Sequence, residues 1–199
     1  NPIPYFGMVR DSIGYLTLTG FTENCAKDFK KALISLKQQG AKSLIVDLRD
    51  NGGGSLTEAI DIVNYFVPKN QEILVTKGKL KQAQNSYKTQ NEPLDERIPL
   101  VVLVNGSSAS ASEIVSGSLQ DLDRAVIIGS RTFGKGLVQT IRPLPYNATL
   151  KVTTSKYYIP SGRCIQAIDY AKKNADGSVV RIPDSLTTVF HTAAGREVR

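Results

Sequence analysis

The hydrophobic and polar positions of this 199-residue chain follow two periods that alternate along its first two-thirds. Five short apolar or alternating runs have the length of β-strands, and they lie at residues 13–19, 43–49, 72–78, 99–105 and 124–129. Three longer segments place apolar residues at every third or fourth position, as helices do, and they lie at residues 22–40, 55–68 and 106–123. Strands that alternate with helices predict a mainly parallel sheet with right-handed crossovers.

Local signals refine these elements. Gly40 predicts the end of the first helix. Ser55 and Glu58 fit a capping box, in which each side chain accepts a hydrogen bond from the main chain of the other. The polar segment 79–97 predicts a loop or weak helix. The final third predicts β-hairpins joined by turns, with a polar loop at 169–178.

Composition narrows the class of protein. With 41% hydrophobic and 22% charged residues, the chain predicts one ordinary globular domain over residues 1–199. Its net charge of +7 comes from scattered lysines without interleaved aromatic residues, which argues against nucleic-acid binding. No apolar run approaches the ~20 residues of a membrane helix. Cys25 and Cys164 lack a metal-binding spacing, and the sequence leaves open whether they pair or remain free.

The stretch GSRTFGKGLVQ, residues 129–139, resembles a phosphate-binding P-loop at first sight. A P-loop continues after its lysine with Ser or Thr, which ligates Mg²⁺, and with a helix whose N–H groups face the phosphates. Here Gly136 follows Lys135, and the next residues form a β-type run that ends at Pro143. Nucleotide binding is therefore a poor interpretation, and Lys135 is available for another role.

Two other loops follow apolar strands, where α/β sheets place their sites. Residues 52–54 are three consecutive glycines, whose N–H groups suit an oxyanion site but equally a tight strand-to-helix turn. Small residues crowd the segment 105–114, where a serine would have a helix N-terminus beside it to stabilise an oxyanion. Capping and close packing explain such a cluster as well, so neither loop identifies a site by itself.

A catalytic serine needs a base, and the choice of bases is narrow. The one histidine, His191, lies far along the C-terminal segment, and a Ser-His-Asp triad would have to use it. The other arrangement is a Ser-Lys pair, which needs a lysine whose pKa lies about 3 below the usual value of about 10.4, at a cost of about 4 kcal/mol. Lys135 fits best, because it lies among apolar residues and glycines directly after a strand that we expect to be buried. If residues 135–139 are extended, Gln139 projects from the same face and orients the amine.

Three motifs in order, SLIVDLRDNGGGSLTEA, PLVVLVNGSSASASEIVSGSLQDLDRAVIIGSRTFGKGLVQ and KYYIPSGRCIQ, resemble the carboxyl-terminal processing proteases, also called tail-specific proteases. The resemblance runs from about residue 12 to about residue 170. It implies an αβ-spiral core related to the crotonase and ClpP folds, with additional β-hairpins in the C-terminal third. It also assigns roles, and the residues that match the family's positions are the nucleophile Ser110, the base Lys135, its partner Gln139, and the oxyanion donors Ala111 and either Gly53 or Gly54.

The resemblance implies a serine endopeptidase that cleaves polypeptides near their C-termini through an acyl-enzyme, with the substrate bound as an added β-strand. It implies no metal or organic cofactor, and it suggests an extracytoplasmic location such as the bacterial periplasm or envelope. A homo-oligomer is left open. The usual PDZ domain has no counterpart here, which suggests either a catalytic region taken from a longer chain or a naturally short member of the family. Two alternatives are a weakly catalytic peptide- or partner-binding module on the same fold and an acyl-CoA-type enzyme, in which the Ser-Lys pair would have no role.

Overall fold

A computed structural model of the chain describes residues 1–181 and 186–199. Three helices, thirteen strands and one 3₁₀ turn (Lys81–Ala83) are formed by these residues. In chain order the helices and strands are β1 (Tyr5–Arg10), β2 (Ile13–Thr17), α1 (Cys25–Gln38), β3 (Ser43–Asp47), α2 (Leu56–Asn64), β4 (Glu72–Lys77), β5 (Asn85–Lys88), β6 (Leu100–Val104), α3 (Ala111–Asp121), β7 (Val126–Gly129), β8 (Leu137–Pro143), β9 (Thr149–Tyr158), β10 (Ile168–Lys173), β11 (Val179–Arg181), β12 (Phe190–His191) and β13 (Glu197–Val198).

The central sheet has the strand order β1-β2-β3-β6-β7. Strands β2, β3, β6 and β7 are parallel, as the alternating pattern predicts, and β1 adds an antiparallel edge. Their carboxyl ends are nearly level, since Asp47 of β3 pairs with Leu103 of β6, and Val104 pairs with Gly129 of β7. The loops that follow β3, β6 and β7 therefore leave the sheet side by side.

The helices cover only one face of this sheet, and this corrects one expectation. Val46 and Val102 are buried because they lie on the face that the helices cover. Along each strand they alternate with residues of the opposite face. In β7, however, Val126 and Ile128 are 55% and 52% exposed. The prediction that β7 is a buried strand is wrong, because it is the last strand of the sheet and its outer face carries no helix. Among the described residues, the helices are too short or too polar to cross a membrane.

A second sheet, β5-β4-β9-β8, is antiparallel throughout and holds the predicted β8–β9 hairpin. The strand β4 joins this sheet and not the parallel one. The segment 79–97, predicted as loop or weak helix, contains the short strand β5. The segment 169–178, predicted as a polar loop, lies partly in the β10–β11 hairpin. The strands β5 and β10 are rich in polar residues, so their pairing with β4 and β11 decides their conformation.

The helix ends match the sequence signals in part. Gly40, at φ +96°, ends α1 as predicted. Ser55 precedes α2 and accepts a hydrogen bond from the Glu58 N–H at 3.4 Å. The other half of the predicted capping box is wrong, because the Glu58 carboxylate instead accepts from the N–H groups of Asn24 and Ala26 at the start of α1, at 2.9 and 2.8 Å.

The two cysteines are free thiols. Cys25 is buried at the start of α1, and Cys164 is half-buried in the segment between β9 and β10. Burial, together with the nearby carboxylate of Glu58, raises the pKa of the Cys25 thiol to about 12. Cys25 therefore remains a protonated, packed side chain at neutral pH.

Candidate active site

Three loops meet at the carboxyl edge of the parallel strands. They follow β3, β6 and β7, and they contain the glycine run 52–54, the serine-rich segment 105–110 and the lysine segment 130–136. Main-chain hydrogen bonds join them, since the Ala109 N–H donates to the Asn51 carbonyl at 3.0 Å and the Phe133 N–H donates to the Ser108 carbonyl at 3.0 Å. Residues far apart in sequence thus form one small region.

Ser110 has an unusual backbone conformation directly before α3. Its φ is +56° and its ψ is −112°, a left-handed φ that costs a non-glycine residue about 1–3 kcal/mol. Its side chain is half-buried. Ala111 is the first residue of α3, and its N–H has no hydrogen-bond acceptor within the described part of the chain. A strained serine with an unused N–H on the next residue is an arrangement typical of nucleophiles.

The glycine run lies directly against this serine. A Cβ placed on Gly53, whose φ is +99°, would lie 2.8 Å from the Ser110 Cβ and 3.0 Å from the Ala111 nitrogen. The Gly53 N–H donates to the Asn51 side-chain oxygen at 2.9 Å. The Gly54 N–H has no acceptor among residues 1–181 and 186–199. The close approach explains why a side chain is absent at Gly53, and it leaves Gly54 as the glycine with an available N–H.

Asn51 fixes the glycine run to the rest of the site, a role that we did not predict. It is fully buried, and its side-chain amide donates to the Leu18 carbonyl at 2.7 Å. Its own carbonyl accepts from the Ala109 N–H at 3.0 Å and from the Ser112 hydroxyl at 2.9 Å. The signal in the sequence is a turn-forming residue directly before the glycines, but the partners come from other strands and cannot be read from it.

Glu113 connects the serine to the lysine segment and was also missed. Its side chain is 4% exposed, and its carboxylate accepts three main-chain hydrogen bonds. The donors are the N–H groups of Ser110 (2.8 Å), Gly134 (2.6 Å) and Lys135 (2.8 Å). One buried carboxylate therefore holds the main chains of the candidate nucleophile and the candidate base to each other. In sequence Glu113 is indistinguishable from an acidic residue that favours the first turn of a helix.

The Lys135 side chain does not have the surroundings that we expected. It is exposed, and no hydrogen bond joins its amine to the Ser110 hydroxyl in the described part of the chain. The expectation of a buried lysine is wrong because β7 is an exposed edge strand, and because the lysine segment turns its main chain and not this side chain toward Glu113. Catalytic hydrogen bonds are often long or unaligned before a substrate binds.

The strand that we assumed over residues 135–139 begins only at Leu137, so Lys135 lies before the start of β8. The pairing of β8 with β9 shifts register between Val138 and Gln139, and the extra residue at this shift, Thr154, is in β9. The alternation within β8 is therefore unbroken, and the shift does not decide whether Lys135 and Gln139 share a face. Gln139 is exposed. Its role as a partner of the lysine stays a prediction.

His191 lies at the opposite end of α3 from Ser110. It is in β12, and the β12–β13 hairpin is held to the C-terminal end of that helix by the Ala193 N–H, which donates to the Asp121 carbonyl at 2.7 Å. Ser110 precedes the N-terminal end, and eleven helical residues span roughly 16 Å. His191 is exposed and lies at the far end of α3 from Ser110, so it is not a candidate base for that serine.

A shallow hollow of about 520 Å³ lies elsewhere, on the uncovered face of the parallel sheet. Ile45, Val101 and Val126 are among its lining residues, and none of the candidate site residues lines it. The candidate active site therefore lies in the loops at the carboxyl ends of the parallel strands, where it is open to solvent, and not in this hollow.

Comparison with known proteins gives a family match and several relatives. A family model for peptidase family S41 matches residues 12–172. The chain is 44% identical over 164 residues to the carboxy-terminal-processing protease of Bartonella bacilliformis, an alignment that covers 80% of this chain and 38% of that protein. It is 44% identical over 149 residues to the carboxyl-terminal-processing protease of a Synechocystis species, covering 75% of this chain and 34% of that one.

The fold is similar to that of a photosystem II D1 C-terminal processing protease. The TM-score is 0.74 at 32% identity, and the match covers 83% of this chain and 46% of that chain. The expected α/β fold, with its β-hairpins in the C-terminal third, is confirmed. The chain spans about a third of the length of these two curated relatives and under half of this solved structure.

Proposed function

This chain belongs to peptidase family S41, and we propose that it is the catalytic core of a serine endopeptidase that processes polypeptides near their C-termini. The observation that carries the proposal is the Glu113 carboxylate, which binds the main chains of both Ser110 and Lys135. Three N–H donors offset the desolvation of this buried carboxylate, and they come from both the serine and the lysine segments. Here the carboxylate fixes the two residue types that a Ser-Lys dyad requires.

In the proposed reaction the neutral amine of Lys135 takes the proton of the Ser110 hydroxyl, and the oxygen attacks a peptide carbonyl. The resulting oxyanion accepts hydrogen bonds from the N–H groups of Ala111 and Gly54. Lys135 then protonates the leaving amine, and water hydrolyses the acyl-enzyme. Gln139 is proposed to orient the amine when a substrate is bound.

A polypeptide substrate suits the strand arrangement beside Lys135. Strand β8 begins two residues after Lys135 and is an edge strand of the second sheet in the described part of the chain. An edge strand has unpaired N–H and C=O groups that can pair with an extended peptide. We propose that the substrate adds to this edge and passes its scissile bond over Ser110. Cleavage of tailed peptides whose N-methylated main chains cannot pair should be slower than cleavage of the parent peptides.

We also propose that residues 1–199 form a single folding domain and that the protein works outside the cytoplasm. The proposal of a single domain rests on α3, which packs on β7 of the parallel sheet and also on β4 of the second sheet. A single cooperative unfolding transition supports it, and two separate transitions contradict it. The second rests on the family alone, and fractionation of the source cells tests it.

The open position of Lys135 favours one alternative, a peptide-binding module with weak turnover. The two possibilities differ in whether Ser110 becomes acylated. A fluorophosphonate reagent, which reacts with activated serines, is expected to label the wild-type chain, and peptide mapping should locate the label on Ser110. Tight binding of a peptide without any labelling of Ser110 would instead support the binding module. Ser110→Ala provides the blank.

Replacing Gly53 by alanine is expected to lower the rate of Ser110 labelling by on the order of 10²- to 10³-fold, because the new methyl group blocks access of the oxyanion to the Ala111 N–H and the loss of one oxyanion donor costs about that much. The added methyl group would lie 3.0 Å from the Ala111 nitrogen and 2.8 Å from the Ser110 Cβ, in the space that the oxyanion needs. The rate is measured as phosphonylation of Ser110 by the fluorophosphonate reagent, in which the serine oxygen displaces fluoride from phosphorus, and a thermal unfolding curve shows the fraction folded.

The adjacent glycine gives a matched control. A Cβ on Gly52 has no neighbour within 4 Å, and its φ is not in the left-handed region. Gly52→Ala should therefore acylate at about the wild-type rate. Equal rates for the two variants would show that the space beside Gly53 is not the oxyanion site.

A further inference from the structure

The main chain around Lys135 is held by a second buried side chain besides that of Glu113, and we propose that Gln166 is a positioning residue that sets where the lysine stands relative to Ser110. This inference rests on the proposed function. Gln166 is 8% exposed, and its side-chain oxygen accepts a hydrogen bond from the Gly136 N–H at 2.8 Å. Its side-chain nitrogen donates to the Ile168 carbonyl at 2.8 Å, which fixes the orientation of the amide.

Nearly every main-chain polar group of residues 134–136 is engaged. The N–H groups of Gly134 and Lys135 donate to Glu113, and that of Gly136 donates to Gln166. The Gly134 carbonyl accepts from the Ala167 N–H at 3.1 Å, and the Gly136 carbonyl accepts from the Tyr157 N–H at 2.8 Å. The segment therefore has one defined position, although the Lys135 side chain is exposed.

The two glycines beside Lys135 are needed for this contact. A Cβ on Gly136 would lie 2.4 Å from the main-chain nitrogen of Gln166, and a Cβ on Gly134 would lie 2.4 Å from the Ala167 Cβ. Side chains at either position would push the segment away from residues 165–167. The pattern Gly-Lys-Gly is explained by close packing against this neighbour on both sides of the lysine.

Gln166 itself stands on a segment that is anchored to α3. The Arg163 guanidinium donates to the Asp121 carboxylate at 2.6 Å, and both side chains are largely buried, at 13% and 0% exposure. The same carboxylate accepts from the Ser161 N–H at 2.9 Å. Glu113 is in the first turn of α3 and Asp121 is its last residue, so one rigid helix supports both sides of the lysine segment.

This double support matters because the lysine side chain is long and makes no fixed contact with Ser110. The reach of its amine is set by where its Cα is held, and a displacement of about 1 Å in a catalytic group can cost about 10²-fold in rate. Loss of the Gly136–Gln166 hydrogen bond would leave a buried N–H unpaired and let residues 134–136 move off Ala167. Gln166 thus acts through Lys135 and touches neither the substrate nor the reacting atoms.

Three substitutions test this role. Gln166→Met keeps the length of the side chain and removes both hydrogen bonds, and it is expected to slow fluorophosphonate labelling of Ser110 by about 10- to 100-fold. Gln166→Glu keeps an oxygen for the Gly136 N–H but loses the donor to the Ile168 carbonyl, so it should restore part of the lost rate. Gln90→Met is the matched control, since Gln90 is exposed and its side chain donates to the Lys88 carbonyl far from the site, and it should leave the rate unchanged.

Amide hydrogen exchange of Gly136, followed by NMR, gives a readout that does not depend on catalysis. Exchange should be slow in the wild type and in Gln166→Glu, and faster by at least about 10-fold in Gln166→Met, with distant core amides unchanged. A Gln166→Met protein that acylates like the wild type, or a Gln166→Glu protein as slow as Gln166→Met, would overturn the inference. Equal Gly136 exchange in all variants would overturn it as well. Failure of the wild-type chain to label at Ser110 would instead overturn the proposed function, independently of the exchange result.

Discussion

Lys135→Met is expected to lower the rate of Ser110 acylation by on the order of 10⁴-fold without unfolding the chain. Methionine keeps the aliphatic stem and removes the amine that takes the proton from the serine. The main-chain hydrogen bonds of residue 135 do not involve the side chain, so the segment stays on Glu113. Because the side chain is exposed, the free energy of unfolding should change by less than about 0.5 kcal/mol.

The measurement is the second-order rate of fluorophosphonate labelling, with a urea unfolding curve for each variant. Lys42→Met is the matched control, since Lys42 is also exposed but lies at the amino end of β3, away from the carboxyl strand ends that carry the site. Small primary amines added to Lys135→Ala should restore part of the rate, because they can occupy the space of the missing amine. Wild-type labelling by Lys135→Met would show that another group is the base, and the Ser-Lys dyad would then be wrong.

Glu113→Ala is expected to lower the free energy of unfolding by about 3 kcal/mol or more and to slow acylation by on the order of 10²-fold in the molecules that remain folded. The carboxylate is buried and accepts from Ser110, Gly134 and Lys135. Alanine leaves these three N–H groups without their acceptor, at about 1–3 kcal/mol for each group that stays buried. Both the nucleophile and the base lose the contact that holds them together.

Glu113→Gln removes the negative charge of the side chain and keeps its size and shape. The amide keeps one oxygen acceptor but turns an NH₂ group toward a main-chain donor, so an intermediate loss of stability and rate is expected. Urea unfolding measures the stability, and acylation in the absence of urea measures the rate. Glu23→Ala serves as the control at an exposed glutamate and should stay within about 0.5 kcal/mol of the wild type. If Glu113→Ala is no less stable than Glu23→Ala, Glu113 does not support the site.

The parts of the fold that follow from local sequence were predictable. Apolar runs identified β2, β3 and β6, and helical spacing identified α1, α2 and α3, because these elements bury one continuous face. The strand β5 was not predictable, because its polar residues become a strand only by pairing with β4. Glu58 shows the same limit at a helix end, where its carboxylate caps α1 and not its own helix.

The sequence by itself determined the chemistry that this protein has available. A single histidine and a lysine between two glycines narrowed the candidate base to Lys135, and the order of motifs identified the family, whose resemblance assigned the nucleophile to Ser110. These conclusions depend on which residues are present and on their spacing along the chain. They need no knowledge of which strands lie next to each other.

The tertiary structure decided how those residues are held and how far each expectation applies. The order of strands in the parallel sheet brings three loops together, and this allows Glu113 and Gln166 to bind neighbouring main-chain N–H groups of the lysine segment. The exposure of β7 follows from its position as the last strand of the parallel sheet. Contacts of this kind join residues more than twenty positions apart, and local pattern carries no information about them.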